Sequence, residues 1–344
     1  MRGFVNINKP PHMTSSDVVV LVRGILRRVT GERYKVGHLG TLDPLGTGVL
    51  PIAIGKATRL FDILTQKEKI YIATFKFGET TDTLDSGGTT TDSGQFIPTK
   101  QDIESVLASF VGDINQLPPQ YSAKSVDGKR AYEYARLGKE VVLAPKLVHI
   151  ESIKILDDTL QNIDNSIAKN NDAFIKNDVK LVETDIISCE KTDNSIKKSD
   201  IEPCGNAINT NDTLDKKSEY KFEIICGSGT YIRSLARDVA EKLGTVAFMT
   251  SICRTKSGEF LQENAVELAT FEAEPLKYII PIEKILISYP KFDLPEEVAD
   301  RILNGIEYSS SSLPNSDCFL VMRDGNAVGL AKNVNDCLKF IVRL

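Results

Sequence analysis

A long polar segment in the middle of the chain decides which residues can form a folded core. Residues 157–218 are rich in Asn, Asp, Lys and Ser, and their single aromatic side chain is Phe174. A segment without a sustained hydrophobic period has too little apolar surface to offset the entropy lost on ordering. We therefore predict that residues 157–218 are a largely disordered insertion and that the core is built from the sequence on either side.

The two sequences that flank this insertion predict strands of one sheet. Leu147 to Leu156 is an apolar run, and Tyr220 to Cys226 resumes the apolar pattern after the insertion. Both runs have the length and the residue types of strands. The insertion would then connect two neighbouring strands.

Further helices and strands are predicted along the rest of the chain. A short strand, Phe4–Ile7, precedes an amphipathic helix that Ser15 or Ser16 can cap. The apolar face of this helix consists of Val18, Leu21, Val22, Ile25 and Val29. The other predicted elements are a helix over Lys56–Gln66, a strand over Lys69–Phe77, a helix over Lys100–Val111, a helix from about Thr230 and a helical stretch near Asn264–Phe271.

The last part of the chain predicts a small β-rich domain, which we place at residues 283–344. Short strands are expected over Cys318–Arg323, Ala327–Ala331 and Leu338–Val342. Asp324 and Gly325 form a turn signal between the first two of these strands. Residues 1–282 would form the larger, mixed α and β domain.

A glycine-rich segment from Gly37 to Pro51 carries the strongest chemical signal. Its glycines permit tight turns, and Pro44 restricts Asp43 to an extended or turn conformation. The segment therefore predicts a rigid loop that presents one carboxylate. By itself, an Asp-Pro step is more often a turn than a catalytic site. A phosphate-binding loop is not supported, because Lys56 is followed by Ala57 rather than by Ser or Thr.

The glycine-rich segment resembles the signature of the TruB-type pseudouridine synthases, the enzymes that make pseudouridine 55 in the T-loop of tRNA. The resemblance continues in further blocks, in the family's order, over most of residues 3–156 and 219–260. These blocks are Gly3–Pro10, Lys69–Tyr71, Gly78–Asp85, Pro118–Ala123 and Gly229–Leu235. Two positions depart from the family pattern, because Gly46 stands where Ala is common and Ile252 replaces a pocket leucine.

The resemblance implies both a fold and a reaction. The fold is α+β, with a mixed, mostly antiparallel sheet, flanking helices and a small C-terminal domain that weakly resembles the PUA-like module. The reaction flips the target uridine out of the RNA, breaks its glycosidic bond with the help of an aspartate, and re-forms the bond through carbon 5. A carboxylate can assist the sugar carbon without a metal or redox group, so no cofactor is expected.

Three catalytic residues follow from the resemblance. It implies Asp43 as the nucleophile, Arg233 as the arginine paired with it, and Tyr71 as the aromatic side chain that stacks on the flipped base. Without the resemblance, the residue pattern favours a helix-surface arginine at position 233. For Tyr71, the residue pattern does not distinguish a stacking role from packing at a sheet edge.

The resemblance also implies residues that surround the base. His38 matches a histidine that stacks inside the RNA loop, and Lys9 matches a lysine beneath the active-site loop. Tyr231 and Ile232 resemble walls of the base pocket, and Ile252 stands at the position of the pocket leucine. A structural role is at least as well supported for Lys9, and Tyr231 also fits an apolar helix stripe.

Residues 121–146 match the family's thumb-like RNA-binding segment. Within it we expect Lys124, Lys129 and Arg130 to contact RNA. Tyrosines interleave with these cations, as suits phosphate contact and base stacking. The alternative for this segment is a solvated basic helix. The segment favours a stand-alone enzyme over relatives that depend on a guide RNA.

The distribution of charge supports an RNA partner although the net charge is -5. The insertion carries 13 acidic and 8 basic residues, which account for -5. The rest of the chain therefore has 34 of each. Residues 1–60 hold nine Lys and Arg against three acids, and residues 121–146 hold six against three. We predict a local basic face that attracts phosphates.

The remaining expectations concern metals, location and partners. Six scattered cysteines without a Cys-x-x-Cys pair, and only three His, predict no metal site. The longest uncharged stretch, Pro44–Gly55, is too short for a membrane helix, and the N-terminus lacks a signal pattern. We expect a monomeric, cytoplasmic protein that acts on the tRNA T-arm without a membrane or a guide RNA. The alternative is a non-catalytic RNA-binding protein that helps tRNA to fold.

Overall fold

The computed structural model describes residues 1–122, 124–126, 128–139, 141–157 and 217–344. All of the predicted insertion except Asp157, Lys217 and Ser218 lies outside the described residues, as do Ala123, Asp127 and Glu140. No helix within these ranges is both long and apolar enough to cross a membrane.

The strands are numbered in chain order. They are β1 (Gly3–Lys9), β2 (Val36–His38), β3 (Thr47–Ile54), β4 (Lys69–Phe77), β5 (Glu79–Thr81), β6 (Thr90–Ser93), β7 (Gly112–Gln116), β8 (Ser125–Val126), β9 (Lys129–Arg130), β10 (Lys146–Leu156), β11 (Glu219–Cys226), β12 (Ala247–Ser257), β13 (Phe260–Leu261), β14 (Lys291–Asp293), β15 (Phe319–Arg323), β16 (Asn326–Val334) and β17 (Cys337–Arg343).

The helices accompany these strands on their flanks. They are α1 (Ser15–Thr30), α2 (Phe61–Thr65), α3 (Lys100–Leu107), α4 (Ala131–Arg136), α5 (Ile232–Lys242), α6 (Leu268–Ala273), α7 (Ile282–Ile285) and α8 (Glu296–Leu303), with 3-10 turns at Gly55–Leu60, Ala108–Phe110 and Gln262–Asn264. The predicted helices after Lys56 and Lys100 are therefore each divided between an α and a 3-10 segment.

A nine-stranded sheet forms the centre of the structure. Seven strands follow the order β1-β3-β12-β4-β11-β10-β7, with β2 paired to β3 and β13 paired to β12. The β3–β12 pair is parallel, and the other pairs are antiparallel. The predicted α+β class with a mostly antiparallel sheet is confirmed. The strands that flank the insertion, β10 and β11, are neighbours as predicted.

Helix α1 differs from its prediction in its cap and in its buried face. Thr14 caps it, rather than either serine that follows, through a capping box in which Thr14 Oγ1 and the Asp17 backbone N–H lie 3.1 Å apart. Leu21 and Val29 are exposed, contrary to the prediction. Val19 and Leu26 are buried in place of these two residues, so the face that packs on the sheet is rotated relative to the predicted one. Its buried apolar residues are Val18, Val19, Val22, Ile25 and Leu26.

The C-terminal part contains a second sheet, in the order β14-β15-β16-β17. The predicted turn between β15 and β16 is confirmed, since Asp324 and Gly325 have φ of 51° and 73°, as a two-residue hairpin turn requires. This sheet shares an apolar cluster with the central sheet, in which Leu320 and Leu330 pack together with Phe4. The domain boundary at residue 282 stays a prediction.

The central position of β4 organises one face of the large sheet. Its residues alternate between buried and half-buried, so Lys69, Tyr71, Ala73 and Phe75 project to the same face. The loop between β2 and β3 and the start of α5 lie over this face, because both contribute to a single cavity beside Tyr71.

Candidate active site

The loop that carries Asp43 is held on both sides of the carboxylate. Before it, the Ser15 hydroxyl lies 2.8 Å from the backbone N–H of Leu42, which donates to it. After it, Lys9 Nζ donates to the carbonyl of Pro44 over 3.1 Å. The loop closes on itself through a hydrogen bond of 2.9 Å from Gly46 N–H to the Asp43 carbonyl. The predicted rigid loop is therefore built by contacts with β1 and α1 as well as by its own glycines.

Gly48 lies at the start of β3, directly after this loop, and only a glycine fits there. Its φ is +90°, and a Cβ at this position would lie 2.3 Å from the carbonyl oxygen of Arg254. The close approach arises because β3 and β12 run side by side here, with Gly48 paired to Arg254. Any side chain would push the two strands apart.

The Asp43 carboxylate is gripped by Arg233 at the start of α5. Arg233 Nε lies 3.0 Å from Asp43 Oδ2, and Nη2 donates to Asp43 Oδ1 over 3.1 Å. This two-point contact fixes both the position and the rotation of the carboxylate. The Asp43 side chain keeps 34% of its surface exposed, whereas the Arg233 side chain keeps 7%. Asp43 can therefore meet a ligand while its partner stays buried.

The remaining N–H groups of Arg233 are also satisfied. Nη1 donates to the Thr83 carbonyl (3.0 Å) and pairs with Asp85 (3.3 Å), and Nη2 donates to the Tyr121 carbonyl (2.9 Å). With Asp43, these acceptors use all five N–H groups of the guanidinium. The prediction that Arg233 lies beside Asp43 agrees with this geometry. The helix-surface alternative does not.

Asp85 is a site residue to which sequence reasoning assigned no role. It is buried, and its second oxygen accepts hydrogen bonds from Thr83 Oγ1 (2.7 Å) and from Gly87 N–H (3.0 Å). It thus holds the far side of Arg233 in place. Its position at the end of the block Gly78–Asp85, which matches the family, was the available signal.

Tyr71 forms a wall of the cavity and is 7% exposed. Burial raises the pKa of its hydroxyl, while the nearby charge of Arg254 and a hydrogen bond with that guanidinium act in the opposite direction. The aromatic ring lies in the interior of the sheet, on its central strand, and not at an edge. The sheet-edge alternative for Tyr71 is therefore wrong.

A cavity of about 380 Å³ lies between these elements. Six of the ten predicted site residues line it, namely His38, Asp43, Tyr71, Tyr231, Arg233 and Ile252. The other four, Lys9, Lys124, Lys129 and Arg130, are not among its lining residues. Lys69, Arg254 and the Ser228–Thr230 loop also line it, and the sequence analysis assigned them no role in the site. The volume suits a nucleoside-sized ligand.

His38 is held as a neutral ring. It lines the cavity, and its Nδ1 is buried without a hydrogen-bond partner among the described residues. Burial lowers its pKa, and the charge of Arg254 lowers it further. A neutral, half-buried imidazole is suited to stacking rather than to binding a phosphate.

Within the described ranges, no group of three His, Cys, Asp or Glu is placed to hold a metal ion.

Lys9 supports the loop from below and is 1% exposed. Its ammonium donates to three backbone carbonyls, those of Pro10 (2.9 Å), Met13 (2.6 Å) and Pro44 (3.1 Å). Burial is the main cause that lowers its pKa from 10.5 to about 8. The structure favours the structural role that the sequence left open for this residue.

We expect Lys9→Met to lower the free energy of unfolding by about 1–3 kcal/mol at neutral pH, because three carbonyls lose their donor. Between pH 8 and 10.5, Lys9 binds more protons in the unfolded wild-type chain than in the folded one. The free energy of unfolding of the wild type therefore rises with pH in this window, and its gap to Lys9→Met should widen. Urea denaturation of both proteins at pH 7 and pH 10 tests this. A stability gap that narrows at pH 10 would contradict it.

The thumb segment forms a small separate unit of β8, β9 and α4. Lys129 and Arg130 are exposed on β9, whereas Lys124 donates to the Ala144 carbonyl over 2.8 Å. The Arg136 guanidinium lies 5.3 Å from the centre of the Tyr132 ring. Lys129 and Arg130 are exposed, as contact with an anionic partner requires, and Lys124 is partly engaged within the segment. Contact of these three residues with RNA stays a prediction.

Taken together, the site offers a fixed carboxylate, an aromatic wall and a cationic interior. Asp43 faces the cavity from one side, Tyr71 and Tyr231 provide flat surfaces, and Lys69 and Arg254 lie deep inside. Such a site can bind a planar heterocycle and can present a carboxylate to the atom that carries it.

Comparison with known proteins gives consistent similarities in sequence. Residues 27–175 match the family described as TruB family pseudouridylate synthase (N terminal domain). The chain is 34% identical over 313 residues to tRNA pseudouridine synthase B of Clostridium kluyveri, covering 91% of this chain and 87% of that one. It is 35% identical over 310 residues to the protein of the same name from Lactobacillus johnsonii, covering 89% and 86%.

Solved structures show the same fold. The chain resembles the Cbf5-Nop10-Gar1 complex with a TM-score of 0.59 at 22% identity, covering 99% of this chain and 83% of that chain. It resembles the archaeal box H/ACA sRNP Nop10-Cbf5 complex with a TM-score of 0.58 at 20% identity, covering 99% and 85%. At these identities the similarity concerns the fold alone.

Proposed function

Because the chain belongs to the TruB family of pseudouridylate synthases, we propose that it converts a uridine of tRNA to pseudouridine. The relatives that carry the name tRNA pseudouridine synthase B align over about nine-tenths of this chain. The observation that supports the proposal most strongly is the Asp43–Arg233 pair, which holds an accessible carboxylate at a cavity of nucleoside size. We further propose uridine 55 in the T-loop as the target.

In the proposed reaction, Asp43 acts on carbon 1′ of the flipped nucleotide. Its carboxylate assists the breaking of the bond to N1 of the base, while Arg233 keeps it oriented. The detached base rotates within the cavity and rejoins the sugar through C5. Tyr71 provides the surface on which the flipped base stacks, which offsets the stacking lost on leaving the RNA.

The test is incubation of the purified protein with a transcribed tRNA, followed by carbodiimide mapping of pseudouridine. We expect a single modified position, uridine 55, without any added protein or guide RNA. A transcript with cytidine at position 55 is the control and should remain unmodified. If the protein binds the transcript but forms no pseudouridine, it is an RNA-binding protein without this activity, and the proposal is wrong.

The thumb segment is proposed to hold the RNA by charge. We expect the double variant Lys129→Gln and Arg130→Gln to weaken tRNA binding about tenfold or more at moderate salt, while the rate at saturating enzyme stays unchanged. Removing two phosphate contacts should lower the slope of log Kd against log salt concentration by about 1.5. Filter binding at several salt concentrations measures this slope.

The matched control for the thumb variant removes two cations elsewhere. Lys154 and Lys256 are paired with Glu223 and Glu68 on the large sheet, and Lys154→Gln with Lys256→Gln changes the total charge equally. An equal loss of affinity in this control would show that net charge, and not the thumb, determines binding.

A further inference from the structure

Two cations lie beside Tyr71 on the floor of the cavity, and we call Lys69 and Arg254 the floor cations. Arg254 on β12 is paired directly with Tyr71 on β4, and Lys69 precedes Tyr71 by two residues on the same strand. Paired residues of antiparallel strands, and alternate residues of one strand, project to the same face of a sheet. All three side chains therefore lie together, and all three line the cavity.

Both floor cations are buried without an acidic partner. Arg254 is 0% exposed and Lys69 is 6% exposed. Arg254 donates to the carbonyls of Val49 (2.8 Å) and Gly40 (3.1 Å). Within the described part of the chain, no carboxylate lies within 4 Å of either cation. Burying a charge without an opposite charge is costly, so this arrangement favours a ligand that carries negative charge.

Lys69 is placed so that it also keeps a hydrogen-bond donor available. Its ammonium donates to the carbonyls of Thr65 and Lys67, both over 2.8 Å. An ammonium has three N–H groups, so one remains beyond these two bonds. Gly40 lies between the two cations, since a Cβ added there would be 3.5 Å from Arg254 Nη1 and 3.9 Å from Lys69 Cε. The two positive charges therefore converge on one small region.

The cavity as a whole carries an excess of positive charge. Its charged lining residues are Asp43, Lys69, Arg233 and Arg254, which sum to +2 with His38 neutral. Arg233 is neutralised by its two-point contact with Asp43 and by Asp85, which lies behind it and is not among the lining residues. The whole excess is consequently located at the floor cations.

The depth of the floor cations indicates which part of a nucleotide they meet. Asp43, at which carbon 1′ would lie, is one-third exposed, and the floor cations are almost fully buried. A base attached to that carbon would extend inward past Tyr71, while the phosphates would stay on the outer side of the ribose. In this orientation the floor cations would face the oxygen-bearing edge of the base and not the RNA backbone.

We infer that Lys69 and Arg254 stabilise the negative charge that collects on the uracil ring when its glycosidic bond breaks. When the bond from C1′ to N1 breaks, its electron pair stays with the base, and the charge is shared by N1 and the two carbonyl oxygens. C5 then bonds to C1′, and the proton lost from C5 is transferred to N1, so that atoms and charge balance without another reactant. Preorganised cations at such a developing charge act in the manner of an oxyanion hole.

This inference rests on the proposed function and adds catalytic roles for two residues. We expect Lys69→Met and Arg254→Met each to lower the single-turnover rate by roughly 10²-fold, while Kd for tRNA changes less than threefold. Lys256→Met is the matched control, because Lys256 lies on β12 with its side chain paired to Glu68 at the surface. Circular dichroism confirms that each variant is folded. Wild-type rates in both methionine variants would overturn the inference.

A pH profile separates charge stabilisation from a merely structural role. Burial, followed by the charge of Arg254, lowers the pKa of Lys69 to about 8. The other groups that face it are Cys226 on β11, whose burial raises its thiol pKa to about 11, and Lys146 on β10. Tyr71 lies beside it on β4, and the cavity lining also includes Asp43, His38 and Arg233. Lys69 therefore loses its charge above pH 8, and kcat/KM of the wild type should fall there.

Lys69→Arg tests the origin of this alkaline fall. Arginine keeps its charge at all accessible pH values, so the fall near pH 8 should move to higher pH in this variant. Lys9 has a similarly lowered pKa, but it lies behind the Asp43 loop and does not line the cavity, so we expect Lys9→Met to leave the alkaline fall in place. A fall that stays at pH 8 in Lys69→Arg would overturn the role given to Lys69.

A binding measurement tests the floor cations without any turnover. 5-Nitrouracil is an anion at neutral pH, and thymine of similar size is neutral. We expect wild type to bind 5-nitrouracil at least tenfold more tightly than thymine, and Lys69→Met and Arg254→Met to lose this preference. Equal binding of both bases by an enzyme that makes pseudouridine would refute the inference alone. An anion preference in a protein that makes no pseudouridine would refute the proposed function alone.

Discussion

Asp43→Asn is expected to lower the single-turnover rate of pseudouridine formation by about 10⁴-fold or more. Asparagine keeps the shape of aspartate, but it has no negative charge and is a far weaker nucleophile toward carbon 1′. Binding of tRNA should persist, because Asp43 contributes no phosphate contact. The measurement is carbodiimide mapping of a transcribed tRNA mixed with excess enzyme, together with filter binding of the same preparation.

The control for Asp43→Asn is Asp62→Asn, which removes an equal charge from an exposed position on α2. It should leave the rate unchanged. A rate within tenfold of wild type for Asp43→Asn would exclude this carboxylate as the nucleophile. Loss of tRNA binding in parallel with activity would instead indicate a folding defect, because Arg233 would be left buried beside an uncharged group.

Arg233→Lys is expected to have the second largest effect, lowering the rate by about 10²–10³-fold although the charge is retained. The guanidinium makes a two-point contact with Asp43 and also reaches Asp85 and two backbone carbonyls. A lysine ammonium has three donors at one point and cannot satisfy all of these acceptors. Asp43 would lose its fixed rotation, and the free energy of unfolding should fall by about 2–4 kcal/mol.

The matched control for this substitution is Arg237→Lys on the same helix. Arg237 is four residues further along α5, pairs with its neighbour Asp238, and does not line the cavity. Single-turnover rates and urea denaturation of the two lysine variants give the comparison. If Arg233→Lys retains wild-type activity, then a positive charge near Asp43 suffices and the planar fork is not required.

Several features of the fold could be predicted because they depend on local sequence. β4 occupies the predicted range Lys69–Phe77 without change, and the Asp324–Gly325 hairpin was confirmed. Both follow from residue alternation or turn chemistry within a few positions. The buried face of α1 was partly wrong, because the sheet on which the helix packs decides which apolar residues are covered. Leu21 and Val29 fit the helical period but remain exposed.

Some residues of the candidate site could likewise be predicted from the sequence, and others could not. Asp43, Tyr71 and Arg233 were found through blocks of sequence that resemble a known family, and the structure places all three around one cavity. Their catalytic roles stay predictions until the variants are measured. The acceptors that hold Arg233, among them Asp85 and the carbonyl of Tyr121, could not be found from local pattern. They come from loops far from α5 in the chain.

The sequence by itself determined the family, the loop that presents Asp43, and the separation of an acidic insertion from a basic first sixty residues. These properties are local, since they depend on neighbouring residues and on composition. Only the tertiary structure decided that Lys69 and Arg254 converge beside Tyr71. Their strands, β4 and β12, are far apart in sequence, and the register between them sets which side chains meet. No period within either strand specifies that register, because it results from packing of the whole sheet.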